Sequence, residues 1–394
     1  MERKKSLAYT VGGLCFISLL FSCNSSTGSQ IGVHETERYS INPEVNTEGL
    51  KNTQYSIDSI CSLHMPDNIV DIGIDKVSVT DDRIFILDTH ITNKLYLFDN
   101  NGNLKATIGE RGKAKGEFIG KPNEFFVDSN NKLHVFDKVG HKIIIYDKDG
   151  TVDNVIQTSG YYPHSFGLTS NDKYLMYFSV GHKNMDNARE SPSSLLLFDK
   201  DCKNYKQLMP SDADLYCSIS TQTFFQDNER LSFIPPFSDS VFVFKNDSIE
   251  KVVMFDFGEK FLSKELPDVL QQEDDYSFMD GYQGVLGLYR YQETESLIYL
   301  DYIYNNQGVS WLYNKKNGQT TNGANLFEGV NPYSYYTFKE NQIIAYVDDK
   351  TIDYFKPLYN EQSFQENLEK SPKQMKDLIE GKIQTPALVY MTLK

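Results

Sequence analysis

Short apolar runs that end in polar, aspartate-rich turns recur along the chain after residue 65. The clearest copies cover residues 95–102, 143–150 and 195–202, and weaker copies cover 241–248 and 309–318. A second kind of apolar run precedes the copies, at residues 83–88, 132–137, 174–179, 231–234 and 297–301, with a sixth at 342–348. Because the repeat is about 45–50 residues long, the length of a propeller blade, the pattern predicts a ring of similar blades.

Each repeat has room for four antiparallel strands joined by tight turns. The Asp-rich turns at 99–102 and 147–150 end in glycine, which supplies the left-handed residue that such hairpins need. The predicted fold is therefore all-β, a six-bladed β-propeller of four-stranded antiparallel blades with one or two short helical insertions. The helices are predicted at 261–276 and 361–380, with Ser371-Pro372 as an internal start signal.

The two ends of the repeat region are predicted to share one blade. Residues 56–63 alternate as a strand does, before the first full blade, and residues 387–393 form a strand at the other end. An unpaired sheet edge promotes aggregation, and closing the ring protects it. We therefore expect these two strands to pair.

The first residues are typical of an exported protein. Basic residues at 3–5 precede an apolar stretch at 7–20 that is too short to span a bilayer comfortably. The next residues, Leu-Phe-Ser-Cys at 20–23, resemble a bacterial lipobox, in which Cys23 becomes the lipidated N-terminus. The alternative is an ordinary signal peptide with an unmodified Cys23. The predicted organisation is a lipoprotein signal peptide at 1–22, a lipidated flexible tether at 23–52 and the propeller at 53–394.

Three further stretches resemble a known family. Residues 109–118 with Pro122 and 125–128 look like an NHL-type blade opening, and residues 237–258 and 385–394 look like parts of bacterial six-bladed, NHL-like propeller lipoproteins from polysaccharide-utilising gut bacteria. The resemblance implies the propeller fold and an anchor in the cell envelope, with the outer membrane expected. Whether the propeller faces the periplasm or the cell surface is left open.

Composition narrows the class of function. Aromatic residues make up 13% of the chain, which suits strands, and the formal net charge of −15 is unsuited to nucleic acid. Cys61, Cys202 and Cys217 remain once Cys15 leaves with the signal and Cys23 is lipidated. They are expected to be buried small apolar side chains, with one disulfide as the alternative.

The sequence carries none of the short catalytic motifs that mark common enzymes. GxSxG, HExxH and GxxxxGK[ST] are absent. Residues 147–150 (Asp-Lys-Asp-Gly) resemble part of a calcium loop but lack its closing glutamate, so a hairpin turn is predicted. We expect no cofactor and no bound metal.

The candidate ligand residues lie in two sets of loops that the topology places on one propeller face. If each blade runs from its inner to its outer strand, the loops between second and third strands share a face with the links between blades. These loops carry seven residues suited to stacking on or hydrogen-bonding a ligand: His90, Arg111, His141, Tyr161, Tyr162, His164 and His182. The alternatives are solvated loop residues and a metal held by several of the histidines.

Two functions are therefore expected from different classes. The favoured one is a membrane-anchored binding or scaffold lipoprotein, not an enzyme, that binds a glycan, a small ligand or a partner such as an outer-membrane uptake protein. The alternative is a propeller enzyme of the lyase or lactonase type that uses the loop His, Tyr and Arg residues, with or without a metal. The chain is expected to be a monomer.

Overall fold

A computed structural model describes residues 35–44, 55–66, 69, 72–158, 161, 163–178, 193–210, 223–227, 230–262, 282–323, 330, 335–339, 342–358 and 360–393. Cys23 and residues 263–276 of the first predicted helix lie outside these ranges. The strands are β1 (Glu35–Ser40), β2 (Tyr55–Ser62), β3 (Lys76–Val79), β4 (Arg83–Asp88), β5 (Lys94–Asp99), β6 (Leu104–Ile108), β7 (Glu124–Val127), β8 (Leu133–Asp137), β9 (Lys142–Tyr146), β10 (Val152–Gln157), β11 (Ser165–Leu168), β12 (Tyr174–Tyr177), β13 (Ser193–Phe198), β14 (Tyr205–Pro210), β15 (Phe224–Asp227), β16 (Arg230–Phe233), β17 (Ser240–Lys245), β18 (Ser248–Asp256), β19 (Val285–Glu293), β20 (Leu297–Tyr304), β21 (Gln307–Asn314), β22 (Thr320–Gly323), β23 (Tyr335–Lys339), β24 (Gln342–Val347) and β25 (Ala387–Leu393).

Apart from β1, these strands form six antiparallel sheets, each of which is one blade, so the predicted six-bladed propeller is confirmed. From inner to outer strand, blades 1 to 6 are β3-β4-β5-β6, β7-β8-β9-β10, β11-β12-β13-β14, β15-β16-β17-β18, β19-β20-β21-β22 and β23-β24-β25-β2. Inner strands of neighbouring blades contact one another around the axis, including β3 with β23 and β11 with β15. The core lies between the blades, where one cluster joins Phe85 and Leu97 of blade 1 to Phe125 and Ile144 of blade 2.

The aspartates of the repeat fold the outer hairpins. In the turns after β5 and β9, one carboxylate oxygen of Asp99 or Asp147 accepts the N–H groups two and four residues later, at 2.9–3.0 Å. Gly102 and Gly150 complete these turns with φ angles of 77° and 83°, which glycine adopts without steric cost. The segment at 147–150 is therefore the predicted hairpin turn.

The ends of the repeat region close the ring as predicted. Strand β2 pairs antiparallel with β25, from Tyr55 opposite Leu393 to Ser62 opposite Ala387. Strand β25 also pairs with β24 on its other side, so it lies inside the sheet of blade 6. The closing blade is thus made of one strand from the beginning and three from the end of the propeller sequence.

An additional strand lies within the range predicted to be tether. Strand β1 pairs in parallel with β18 and becomes a fifth strand on the outer edge of blade 4. The Tyr39 ring packs 5.9 Å from Phe255 and 5.8 Å from Trp311 (centroid distances). The sequence suggested a polar tether here because only a few side chains of this short strand face the blade. Residues 35–44 thus belong to the folded part of the chain.

Among the residues described, three short α-helices precede the last strand. They are α1 (Asp349–Phe355), α2 (Glu361–Lys370) and α3 (Lys373–Ile379), and two 3₁₀ turns lie at Gly258–Lys260 and Lys356–Leu358. The helix predicted at 361–380 is confirmed as α2 and α3, which are separated at Ser371-Pro372. Helix α1 was not predicted, although the Asp348 side chain caps it by accepting the N–H of Thr351 at 2.7 Å. None of the helices described is long and apolar enough to cross a membrane.

Candidate functional site

A cavity of about 320 Å³ occupies the central channel, and we call it the channel cavity. Each inner strand is paired on one side only, so its other edge presents unpaired N–H and C=O groups to the axis. The lining comes from five of the six inner strands and from the turns that follow them: Lys76, Val77, Ser78, Val79, Thr80, Asp81, Phe125, Phe126, Val127, Asp128, Asn131, Phe225, Gln226, Gln292, Thr337, Phe338 and Lys339. The channel is therefore a polar space with aromatic side chains in its wall.

The described residues of the inner strand of blade 3 do not line this cavity. A Cβ atom at Gly167 in this strand would lie 2.7 Å from Leu231 Cδ2 and 2.8 Å from Phe224 Cδ1. Only a residue without a side chain fits this distance, so blade 3 packs directly against blade 4.

A buried ion pair forms one end of the channel cavity. Lys76 Nζ lies 2.8 Å from Glu124 Oε1, donates to the carbonyl of Phe125 at 2.7 Å and lies 3.6 Å above the Phe126 ring centroid. Burial lowers the pKa of Lys76 and raises the pKa of Glu124, although each charge favours the ionised form of the other. The pair fixes the first residues of β3 and β7 and leaves little of either charge available to a ligand.

The other end opens at the turns that follow the inner strands. Lys339 Nζ lies 3.1 Å from Asp81 Oδ1 and 3.0 Å from the carbonyl oxygen of Thr80, and the side chain of Asp81 is 93% exposed. Gln226 donates to the carbonyl of Val127 at 3.0 Å. Beside them the Oε1 atom of Gln292 is buried and has no hydrogen-bond partner among the residues described. A donor in the channel would satisfy this acceptor only if the Gln292 side chain turned toward it.

The predicted ligand residues lie on the opposite face. His90 and His141 lie in loops after second strands, and Arg111 and His164 lie in links before inner strands. The cavity is instead lined by the inner strands and by the turns that follow them. Successive strands are antiparallel, so these two sets of loops belong to opposite ends of the blades. None of the five predicted residues that the structure describes lines the channel cavity. Tyr162 and His182 lie outside the described residues.

The structure brings only some of the predicted residues together. His141 Nδ1 lies 3.4 Å from the carbonyl oxygen of Tyr161, while the Tyr161 ring packs 5.1 Å from Phe198, on the third strand of blade 3. The His164 ring meets the edge of Tyr177, at 5.9 Å between centroids.

The other two predicted residues, in blade 1 and the link after it, have separate partners. His90 Nε2 lies 2.9 Å from Asp75 Oδ1, and Arg111 Nε donates to the carbonyl of Gly120 at 3.1 Å. Their ligand-binding role therefore stays a prediction. Within the described ranges, no three His, Cys, Asp or Glu side chains are grouped as a metal site.

Sequence reasoning missed the channel residues because the inner strands are its least distinct elements. Strands β3, β7 and β15 have four residues each, too few to show a periodic pattern. The repeat contained a usable signal, because each inner strand must come immediately before a recognised second strand. Searching these stretches for polar residues would have found Lys76 and Ser78.

Comparison with known proteins supports the architecture. A family model described as "Domain of unknown function (DUF4934)" matches residues 68–384. The structure is similar to that of a Bacteroides fragilis protein described as exported, with a TM-score of 0.70, 16% sequence identity and coverage of 91% of this chain and 99% of that chain. That likeness shows the fold.

More distant matches include two other bacterial proteins. One is a member of the DUF4221 family from Bacteroides vulgatus, with a TM-score of 0.47 and 9% identity, covering 87% of this chain and 99% of that one. The other is virginiamycin B lyase from Staphylococcus aureus, with a TM-score of 0.39 and 11% identity, covering 74% and 82%. No curated protein sequence matches the chain.

Proposed function

The chain belongs to the family described as "Domain of unknown function (DUF4934)", and we propose that it is a lipid-anchored protein of the cell envelope that binds a small hydroxyl-rich ligand in its channel. The observation that carries the binding proposal is the composition of the channel cavity. The cavity is surrounded by free strand edges, amide side chains and one unsatisfied buried acceptor. Its volume of about 320 Å³ lies at the lower end of the range for small-molecule sites.

A sugar fits this chemistry better than a charged ligand does. Each charged group of the lining has a partner, because Lys76 is paired with Glu124, Lys339 with Asp81 and Asp128 with His134. The other polar groups of the lining are neutral donors and acceptors, which match the hydroxyl groups of a sugar. The Phe338 side chain, which is only partly buried, adds apolar surface on which a sugar ring can pack.

A binding role is favoured over the lyase or lactonase alternative. Enzymes of that kind need a proton-transferring group next to the ligand, most often a histidine. No histidine belongs to the described lining of the channel cavity, and its carboxylates, Asp81 and Asp128, are paired with Lys339 and His134. We propose further that the anchor lies in the outer membrane, that the protein is a monomer and that it works with a partner in an uptake system.

Replacing Gln292 with Leu tests the channel as the binding site. Sugar binding should weaken about twofold to tenfold, since a neutral hydrogen bond contributes about 0.5–1.5 kcal/mol. The free energy of unfolding should stay the same or rise, because an unsatisfied buried acceptor is removed. Calorimetric titration of wild type and variant with a panel of free mono- and disaccharides measures the first effect, and urea unfolding measures the second.

Gln207→Leu is the matched control, since Gln207 is an exposed glutamine on an outer strand. Binding that is equally strong in wild type and Gln292→Leu would show that this acceptor is not part of the site. No binding of any sugar would refute the proposed ligand class.

Replacing Cys23 with Ser tests the anchor. The resemblance of residues 20–23 to a lipobox and the description of the Bacteroides fragilis protein as exported both lead us to expect a lipid on Cys23. The variant should leave the membrane fraction and lose a metabolic fatty-acid label, because several acyl chains on one residue are needed for stable anchoring. Cys15→Ser, within the signal peptide, should keep both. A Cys23→Ser protein that remains labelled would refute the lipobox.

A further inference from the structure

A second cavity, of about 500 Å³, lies beside the channel at the junction of blades 1 and 6, and we call it the seam cavity. Its lining includes Ser59, Ser62, His64, Asn101, Gln342 and Tyr390. The two cavities share Val79 and Lys339 as lining residues. They are therefore adjacent, and together they extend from the propeller axis to the outer strand of blade 6.

Lys339 stands between the two cavities. It belongs to blade 6 and reaches blade 1, where its Nζ donates to the carbonyl of Thr80 at 3.0 Å and lies 3.1 Å from Asp81 Oδ1. Asp81 is almost fully exposed, and such surface ion pairs contribute little to stability. The ammonium group can thus move at low cost and donate its hydrogen bonds to a ligand that passes from one cavity into the other.

The chemistry of the seam cavity resembles that of the channel. Its lining contains no carboxylate among the described residues, although the chain carries a formal net charge of −15. Amides, hydroxyls, one imidazole and one phenol supply neutral donors and acceptors, and the last two are also rings on which a sugar can pack. Both cavities therefore suit the same hydroxyl-rich ligand.

We propose that the channel and seam cavities form one groove for an extended oligosaccharide, whose end enters the channel while the following sugars lie along the seam. The inference rests on the proposed function and adds the length of the ligand to it.

An extended peptide suits the groove less well. Strand addition needs a regular edge, whereas β2 carries a register shift between Ile57 and Ser59.

The test compares a monosaccharide with linear oligosaccharides of the same sugar, by calorimetric titration of the full propeller. Arrays of immobilised glucans, mannans, xylans and galacturonans first select the sugar. Affinity should rise at least about tenfold from the monosaccharide to the longer oligomers, which corresponds to 1.4 kcal/mol. Asn101→Ala and Ser59→Trp should remove most of that gain and leave monosaccharide binding unchanged.

Asn130→Ala is the matched control for Asn101→Ala. Both asparagines lie in aspartate turns in which only their backbone N–H groups bind the aspartate, at 3.0 Å for Asn101 and 2.9 Å for Asn130. Asn130 lines neither cavity, so its variant should bind oligomers as wild type does.

The outcomes separate this inference from the proposed function. If the monosaccharide binds as tightly as its oligomers, or if the two seam variants keep the full gain, the extended groove is wrong and the channel site stands. If no sugar of any length binds, both proposals fail. An array of extended peptides that gives binding sensitive to Ser59→Trp, with no sugar binding, would replace the oligosaccharide by a peptide.

Discussion

Deleting residues 386–394 is expected to abolish cooperative folding of the propeller. Strand β25 lies between β24 and β2, so its loss leaves both neighbours with an unpaired edge. Its Leu388, Val389 and Met391 side chains are fully buried. At about 1.5–3 kcal/mol for each large apolar side chain, their removal costs about 5–9 kcal/mol, which is comparable with the whole stability of a typical domain.

Thermal unfolding followed by circular dichroism, together with limited proteolysis, measures this effect. The matched control removes Lys394 alone, because β25 ends at Leu393. The control should melt as the full chain does. A protein without residues 386–394 that keeps the melting temperature and protease resistance of the full chain would show that the ring does not depend on this pairing.

Replacing Lys251 with Met is expected to destabilise the protein by about 3 kcal/mol, the lower end of the cost of breaking a buried ion pair. Lys251 Nζ lies 2.7 Å from Glu37 Oε1 on β1 and 2.8 Å from Glu293 Oε1 at the end of β19. The side chains of Lys251 and Glu293 are each only 7% exposed. Removing Lys251 takes a shared cation away from both carboxylates, and Glu293 keeps only its contacts with Lys315 and Tyr291.

Urea unfolding of three variants separates this effect from a general loss of packing. Lys132→Met is the control, because Lys132 forms an exposed pair with Asp153 at 2.7 Å and should change stability by less than about 1 kcal/mol. Adding Glu293→Gln to Lys251→Met should recover part of the loss. Equal effects of Lys251→Met and Lys132→Met would contradict the importance of the buried pair.

The contacts of Glu293 also make the stability of the protein depend on pH in a definite direction. Burial alone would raise the pKa of Glu293, but hydrogen bonds from Lys251, Lys315 and Tyr291 outweigh it and hold the pKa below the ordinary value of 4.5. A carboxyl group whose folded pKa is lowered adds stability above its unfolded pKa and loses it as the pH falls through the folded value. The stability difference between wild type and Glu293→Gln should therefore be constant above pH 5 and shrink below about pH 4.5.

Much of the fold could be read from the sequence because its signals are local. The aspartate turns identify the hairpins, since each aspartate binds backbone groups within four residues of itself. The buried runs of the second and third strands are long enough to show the repeat, and the repeat fixes the number of blades. Even the closure between β2 and β25 followed from the need to protect two sheet edges.

The position of the channel cavity depended on contacts that no local pattern encodes. Gly167 lets blade 3 pack against blade 4, because a Cβ atom there would lie too close to Leu231 and Phe224, more than fifty residues later. Lys339 meets Asp81 across the ring closure, and Glu37 meets Lys251 across most of the chain. Loop histidines were visible in the sequence, but the size and position of the space between the blades were not.

The sequence by itself thus determined the repeat, the hairpins and the closing strands, because each depends on neighbouring residues or on the period. Only the tertiary structure decided that residues 35–44 join blade 4 and that the cavity opens at the turns after the inner strands. Both depend on which side chains meet when the ring closes. Those contacts are set by packing between blades, which brings together residues that are far apart in the sequence.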